Sequence, residues 1–255
     1  WNSERSHGRR SMDKQKLRQR AEEIYKALFG EKLTCVCCGA DLFTDGHFCE
    51  SCLQSLPFNA GFVCSKCGRA IGADYPVCLE CKADMPAYTE ARSAFRYEGE
   101  VVRLVKQFKT GGRFLAAAFA ERMAPLLLSE FSDADFLVPV PMTEQARKKR
   151  GYNQAELLAE ELSARTGVPA EYSLLTKTRE TPAQKQLSYR EREKNLQGSF
   201  HVAERKKCRG ARVVLVDDVL TTGATANAAA RPLLGAGAVK VYLLTAASVP
   251  YREKR

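Results

Sequence analysis

Residues 213–225 read VVLVDDVLTTGAT, an apolar run followed by two acids and then by a turn of small and hydroxylated residues. Consecutive aliphatic residues of this kind suit a strand buried on both faces of a parallel sheet, and open α/β sheets bind ligands where such strands end. Asp217 and Asp218 fall at that carboxyl end. Thr221, Thr222, Gly223, Ala224 and Thr225 follow, and their short side chains let backbone N–H groups close around a dianionic phosphate. A helix expected from Thr225 to Leu234 turns the positive end of its dipole toward the same place. The plainer alternative is a buried strand with an Asp-containing turn. Two neighbouring carboxylates repel unless hydroxyls, a metal or basic groups offset them, and the hydroxyl-rich loop directly after them argues for a sugar-phosphate ligand.

Working outward, the chain of 255 residues has room for one sizeable core and a smaller module. Its 45% hydrophobic content is that of a globular protein. The formal net charge of +10 favours an anionic partner, a phosphorylated metabolite or a nucleic acid. The most apolar stretch, residues 114–128, is interrupted by Glu121, Arg122 and Pro125, so no membrane insertion and a cytoplasmic location are expected. The opening WNSERSHGRRS is irregular and Met12 offers a natural start, so residues 1–11 carry no weight in the fold. Residues 12–29 have the apolar spacing of an amphipathic helix ended by Gly30.

Between Cys35 and Pro86 the chain repeats with a period of 29 residues. Cys35, Cys38, Cys49 and Cys52 return as Cys64, Cys67, Cys78 and Cys81, with Gly39 matching Gly68 and Pro57 matching Pro86. Paired C-x2-C knuckles followed by glycine bring four thiolates onto one zinc ion, and a closed tetrathiolate shell makes that zinc structural. Disulfides are the competing reading, and they need an oxidising compartment. Pairing within each repeat closes smaller loops than a cross-brace would. His47 and Cys37 are surplus to a complete thiolate set, and Cys208, set among basic residues, reads as an unpaired surface cysteine. The ribbons hold few basic residues, chiefly Lys66, Arg69 and Lys82, which favours scaffolding or protein docking over a grip on DNA. Phe43, Phe48, Phe58 and Phe62 read as packing beneath them.

From Ala87 onward strands alternate with helices, as in a parallel sheet. Strands are expected at 88–97, 136–140 and 239–245, and helices at 100–108, 113–128 with a kink near Pro125, and 152–165. The expected organisation is an extension and helix (1–32), a double zinc ribbon (33–86) and an α/β domain (87–255). After the second strand comes Arg147-Lys148-Lys149-Arg150-Gly151. Read as a loop on the ligand edge of the sheet, it makes Arg147, Arg150 and Gly151 candidates for a pyrophosphate group; a solvated surface turn is the alternative. The polar stretch 177–199 has the composition of a surface excursion or of a lid that excludes water, with Lys177, Gln184, Arg190 and Asn195 as candidates.

The acid pair and its loop resemble the signature of type I phosphoribosyltransferases. With the paired cysteine knuckles, KQFKTGGR at 106–113, VPVP at 138–141, RGYNQ at 150–154, the KTRxTxxQ pattern at 177–184 and REKNLQGSF at 192–200, the layout resembles the ComF competence family. That resemblance implies a phosphoribosyltransferase fold, Rossmann-like and α/β, behind an N-terminal double zinc ribbon, and a link to uptake of single-stranded DNA. It also implies phosphoribosyl pyrophosphate (PRPP) with Mg2+ as ligand, the diol on Asp217 and Asp218 and the 5′-phosphate on residues 221–225. No residue of these motifs is an evident base for an acceptor, and His201 reads as structural. Two functions are therefore carried forward: a Mg2+-dependent phosphoribosyltransferase, or a non-enzymatic competence factor that senses a phosphoribosyl ligand and contacts single-stranded DNA, with competence proteins as further partners through the ribbons.

Overall fold

A computed structural model describes residues 34–43, 46–179, 196 and 198–251. The chain forms two compact units, Trp1–Glu50 and Ser51–Arg255. The expected helix over 12–29 lies outside the described residues.

In the first unit the Cys35 knuckle is a tight turn. Cys35 N–H donates to the Ala40 carbonyl at 2.7 Å and Gly39 N–H to the Cys35 carbonyl at 2.8 Å, with Gly39 in the left-handed region at φ 77°. Phe48 is buried as expected, but Phe43 is 96% exposed and packs under nothing.

Among the described residues the second unit has six strands, β1 (Glu90–Arg96), β2 (Phe136–Pro139), β3 (Leu175–Lys177), β4 (Phe200–Val202), β5 (Arg212–Leu220) and β6 (Lys240–Ser248). Four of them form a wholly parallel sheet in the order β1-β6-β5-β2, while β3 and β4 pair antiparallel. Among the described residues the helices are α1 (Glu50–Ser55), α2 (Leu79–Ala83), α3 (Gly99–Lys109), α4 (Leu115–Glu130), α5 (Glu144–Arg150), α6 (Gln154–Thr166), α7 (Arg205–Cys208) and α8 (Ala224–Gly235). Helices α4 and α6 pack on each other and on the sheet, and α8 packs on β5 and β6. Val213, Val214, Leu215 and Val216 are fully buried, as a central strand covered on both faces requires.

Both edges of the sheet are occupied. Along β1, Ala91 N–H donates to Lys66 O at 2.9 Å, Asn59 N–H to Ala94 O at 3.0 Å and Arg96 N–H to Pro57 O at 2.8 Å. The segment carrying the second pair of cysteine knuckles thus takes up the hydrogen-bonding groups that an open edge would present to other chains. Phe58 adds a ring contact on Phe95 at 5.0 Å. The approach is so close that a Cβ on Gly68 would sit 2.1 Å from the Ala91 carbonyl oxygen. On the other side, residues 169–171 bond to Leu137 of β2.

Several expectations are corrected. The strand bearing the acids continues to Leu220, so Asp217 and Asp218 lie within it, because Val219 and Leu220 still pair with Ala247 and Ser248 of β6. The helix over 113–128 is α4, 16 residues long, running through Pro125 to Glu130. Phe62 is exposed. Cys208 is fully buried at the end of α7 and packs into the core, where burial raises its thiol pKa; its basic neighbours occupy the exposed side of a short helical turn. None of the described helices is long and apolar enough to cross a membrane.

Candidate functional site

Successive residues of an extended strand face opposite sides of its sheet, so the two acids serve different surroundings. Asp217 lines a depression together with Val219, Leu220, Thr221, Gly223, Thr225, Ala226, Leu243 and Thr245. Burial, reinforced by the charge of Asp218, pushes the Asp217 carboxyl up to about 7, against the opposing influence of the Asp218 amide and of Lys109 and Lys177. Asp218 N–H donates to Asp217 Oδ1 at 2.8 Å. Asp218 itself is 8% exposed, and its Oδ2 lies 2.9 Å from Lys109 Nζ.

The phosphate-type loop closes the depression. Gly223 has φ 81° and stands as the N-cap of α8, a backbone state that favours glycine. A side chain there would also come within 3.4 Å of the Tyr88 hydroxyl. Asn227 N–H donates to Gly223 O at 2.8 Å, which starts the helix, and Ala224 N–H meets Thr222 Oγ1 at 3.5 Å. Asn227 is buried, and its Oδ1 accepts from Ala87 N–H at 2.6 Å.

The basic run 147–150 is a helix and not a loop, for reasons present in its flanks. Thr143 Oγ1 caps it by accepting from Ala146 N–H at 3.3 Å, and Gly151 ends it in the left-handed region at φ 85°. Arg147 donates to Glu156 Oε1 at 2.8 Å and Arg150 to Gln154 Oε1 at 2.7 Å, so both guanidinium groups are held by α6. Gly151 meets no backbone; a Cβ there would find only Arg113 Nη2, at 3.7 Å. Lys177 ends β3 with its Nζ 5.4 Å from the Phe200 ring centroid, and its charge reaches Asp217. Gln184, Arg190 and Asn195 lie outside the described residues.

Sequence reasoning gave no site role to Lys109, Tyr152 or Gln154. The Phe108 carbonyl accepts from the Tyr152 hydroxyl and from Gln154 Nε2, and the same hydroxyl accepts from Gly111 N–H at 3.0 Å. Arg113 donates to Gly151 O at 2.7 Å and lies over the Tyr152 ring at 4.7 Å. The 106–113 and 150–154 motifs are therefore two halves of one clasp. Their shared richness in Gly, Arg and amide groups was the available signal.

Both cysteine sets assemble as expected. The sulfurs of Cys35, Cys38, Cys49 and Cys52 lie within 4.8 Å of one another, as do those of Cys64, Cys67, Cys78 and Cys81. Cys38 and Cys49 sulfurs are 3.7 Å apart, and those of Cys67 and Cys78 3.8 Å. Tetrahedral zinc with Zn–S of about 2.3 Å requires sulfurs about 3.8 Å apart, whereas disulfide sulfurs stand about 2.05 Å apart; all ten cysteines are free of disulfides. Arg69, buried beside the second set, donates to Cys67 Sγ at 3.4 Å and pairs with Glu80. Burial opposes its charge, but Cys67 and Glu80 outweigh that and raise its pKa, so a cation is in place to offset a tetrathiolate centre.

With this geometry in hand, likeness to known proteins is informative. The phosphoribosyl transferase domain family matches residues 146–255. Competence protein ComFC of Bacillus subtilis (strain 168) is 30% identical over 201 residues, which cover 76% of this chain and 80% of that protein. The chain belongs to the ComF family. Another relative of this ComF protein, the DNA utilization protein YhgH of Escherichia coli (strain K12), is 30% identical over 228 residues, covering 80% of this chain and 98% of its own. Among solved structures, the glutamine PRPP amidotransferase from B. subtilis complexed with ADP and GMP aligns over 56% of this chain and 30% of that one at 21% identity, with a TM-score of 0.37. The ComF chain thus joins a type I phosphoribosyltransferase domain, parallel sheet and flanking helices, to cysteine clusters with the donor set and spacing of zinc ribbons.

Proposed function

We propose that this ComF protein binds PRPP with Mg2+ and transfers its phosphoribosyl group with release of pyrophosphate, in the service of DNA uptake. The observation that carries the reading is the joining, in one depression, of Asp217 with the glycine-capped loop that opens α8. In this reading the loop 221–225 takes the 5′-phosphate on its amides, and Asp217 and Asp218 take the ribose 2′ and 3′ hydroxyls from either side of the β5 edge, whose pairing with β2 ends at Val216. The two neighbouring carboxylates also fit a hard cation that binds through one or two carboxylates and completes its shell with phosphate oxygens and water. Mg2+ there would offset charge developing on the leaving pyrophosphate. Arg147 and Arg150 can serve the pyrophosphate only by giving up Glu156 and Gln154.

Calorimetric titration of PRPP with Mg2+ tests the reading. Binding by the native protein and its loss in Asp217→Asn/Asp218→Asn are expected; undiminished binding by the double variant sinks it. Incubation with PRPP and a panel of bases and amines then asks for pyrophosphate.

Among the described residues no histidine lines the Asp217 depression, and this favours one second reading: a non-enzymatic factor that senses PRPP while its basic surface holds single-stranded DNA. PRPP binding without pyrophosphate release, together with DNA affinity that falls steeply with salt, would select it.

A further inference from the structure

The cation in direct contact with Asp218, Lys109 at 2.9 Å, belongs to neither basic segment singled out in the sequence as a site, while Lys177 acts on Asp217 through its charge. Lys109 is the last residue of α3, and the chain around it is fixed with unusual thoroughness. Just before it, the Phe108 carbonyl is held by Tyr152 and Gln154. Just after it, Gly111 N–H is held by the Tyr152 hydroxyl, and Arg113 is locked onto Gly151. Gly112 permits the tight reversal between them, since a Cβ there would come 3.0 Å from the Gln107 carbonyl oxygen. Tyr152 and Gln154 are both buried. All this aims one flexible side chain at Asp218.

The Lys109 side chain is 36% exposed and that of Asp218 12%, so the pair neutralises a buried carboxylate with a cation whose ammonium group still reaches solvent. A cation so placed can serve as a ligand contact. A sugar whose 5′-phosphate sits on the 221–225 loop and whose diol sits on the acids has its anomeric substituent on the far side of those acids from the loop. Asp218 faces the side of the sheet that holds Lys109.

We infer that Lys109 is the pyrophosphate-binding cation of this site, reached by exchange of counter-ions; the inference rests on the PRPP reading above. Lys109 pairs with Asp218; a diol and divalent cation held by that carboxylate would release Lys109 to the pyrophosphate oxygens. No charge is stranded at either stage, because each ion that leaves a partner gains one. The clasp of residues 150–154 fixes the backbone from which Lys109 turns, so Tyr152 is a positioning residue.

The test compares two ligands that share the 5′-phosphate and the diol but differ in the pyrophosphate: PRPP and ribose 5-phosphate, each with Mg2+. Calorimetry on the full chain, with circular dichroism to verify folding, is expected to show that Lys109→Gln weakens PRPP by about 10- to 100-fold, the range of a lost charge-assisted hydrogen bond. Ribose 5-phosphate affinity should change by less than about 3-fold, since the lost contact is specific to the pyrophosphate. Lys109→Arg should recover part of the loss. Tyr152→Phe, which leaves Lys109 in place, should weaken PRPP to a smaller degree. Unchanged PRPP affinity in Lys109→Gln, or equal losses for both ligands, overturns the assignment while leaving the proposed function intact. Failure of the native protein to bind either ligand removes the proposed function and the inference with it.

Discussion

Ala87 N–H donates to Asn227 Oδ1 at 2.6 Å, and this bond connects two parts of the chain with different chemistry. Ala87 belongs to the segment that leaves the second cysteine cluster for the first strand. Asn227 lies in the first turn of α8, and its own N–H holds the Gly223 carbonyl of the loop. Tyr88, next in sequence to Ala87, stands with its hydroxyl beside Gly223. The exit from a metal-type centre therefore buttresses the loop proposed to take the phosphate.

Replacing Asn227 with Ala leaves the Ala87 N–H without its acceptor. Ala87 is half-buried, and leaving its donor unsatisfied costs about 1 kcal/mol, the low end of the range for buried groups, so urea unfolding of Asn227→Ala should show a loss of about that size. Phosphate-bearing ligands should also bind more weakly. Unaltered stability would mean that the Ala87 bond carries no weight.

Gly39 and Gly68 are equivalent in the sequence repeat, yet their substitutions should differ. Both have positive φ, 77° and 64°, and an Ala in that conformation costs roughly 1–2 kcal/mol at either position. Only Gly68 lies against backbone, where an added methyl would stand 2.1 Å from the Ala91 carbonyl oxygen; Gly39 has nothing within 4 Å. Gly68→Ala should prevent docking on β1 and yield little folded protein, while Gly39→Ala should fold with a modest fall in melting temperature. Equal yields and melting temperatures for the two variants would contradict the close approach at Gly68.

Cys78→Ser should reduce bound zinc from two ions per chain to one, measured by mass spectrometry of the metal, since Cys78 belongs to the second of the two clusters. The same change should loosen the segment that covers β1. An uncovered edge strand pairs with other chains, so light scattering should rise. A variant with one zinc and no change in association would separate metal binding from edge protection.

The pH dependence of stability follows from Asp217, whose carboxyl is pushed up to about 7. In the unfolded chain it titrates near 3.9, so between those values the folded chain holds the extra proton. Its contribution is therefore full below about pH 4 and is lost as pH rises through 7. Asp217→Asn removes the dependence. Without added divalent cation, the native protein should melt roughly 5 °C or more below Asp217→Asn at pH 8, and close to it at pH 4. A native protein that gains on the variant as pH rises would contradict the assignment.

The β5 strand, the glycine-capped loop and both tetracysteine sets were legible in the sequence because each is local. Four consecutive aliphatic residues, a Gly at a forced turn and C-x2-C spacing carry their geometry within a few residues. The same holds for the flanks of the basic run, where Thr143 and Gly151 announce a helix. Reading that run as a loop gave its charge more weight than its caps.

What local pattern cannot encode is which side chain crosses to which. Alternation along β5 sends Asp217 and Asp218 to opposite faces, but only the packing of α3 brings Lys109, far away in sequence, to 2.9 Å from Asp218. Only the sheet order leaves β1 at an edge for the segment around the second cysteine set to cover, and only burial distinguishes Gly68 from Gly39 or turns Cys208 inward. Residue type and spacing fix what can bind phosphate or zinc; the free energy of packing distant segments fixes which charges and edges those groups meet.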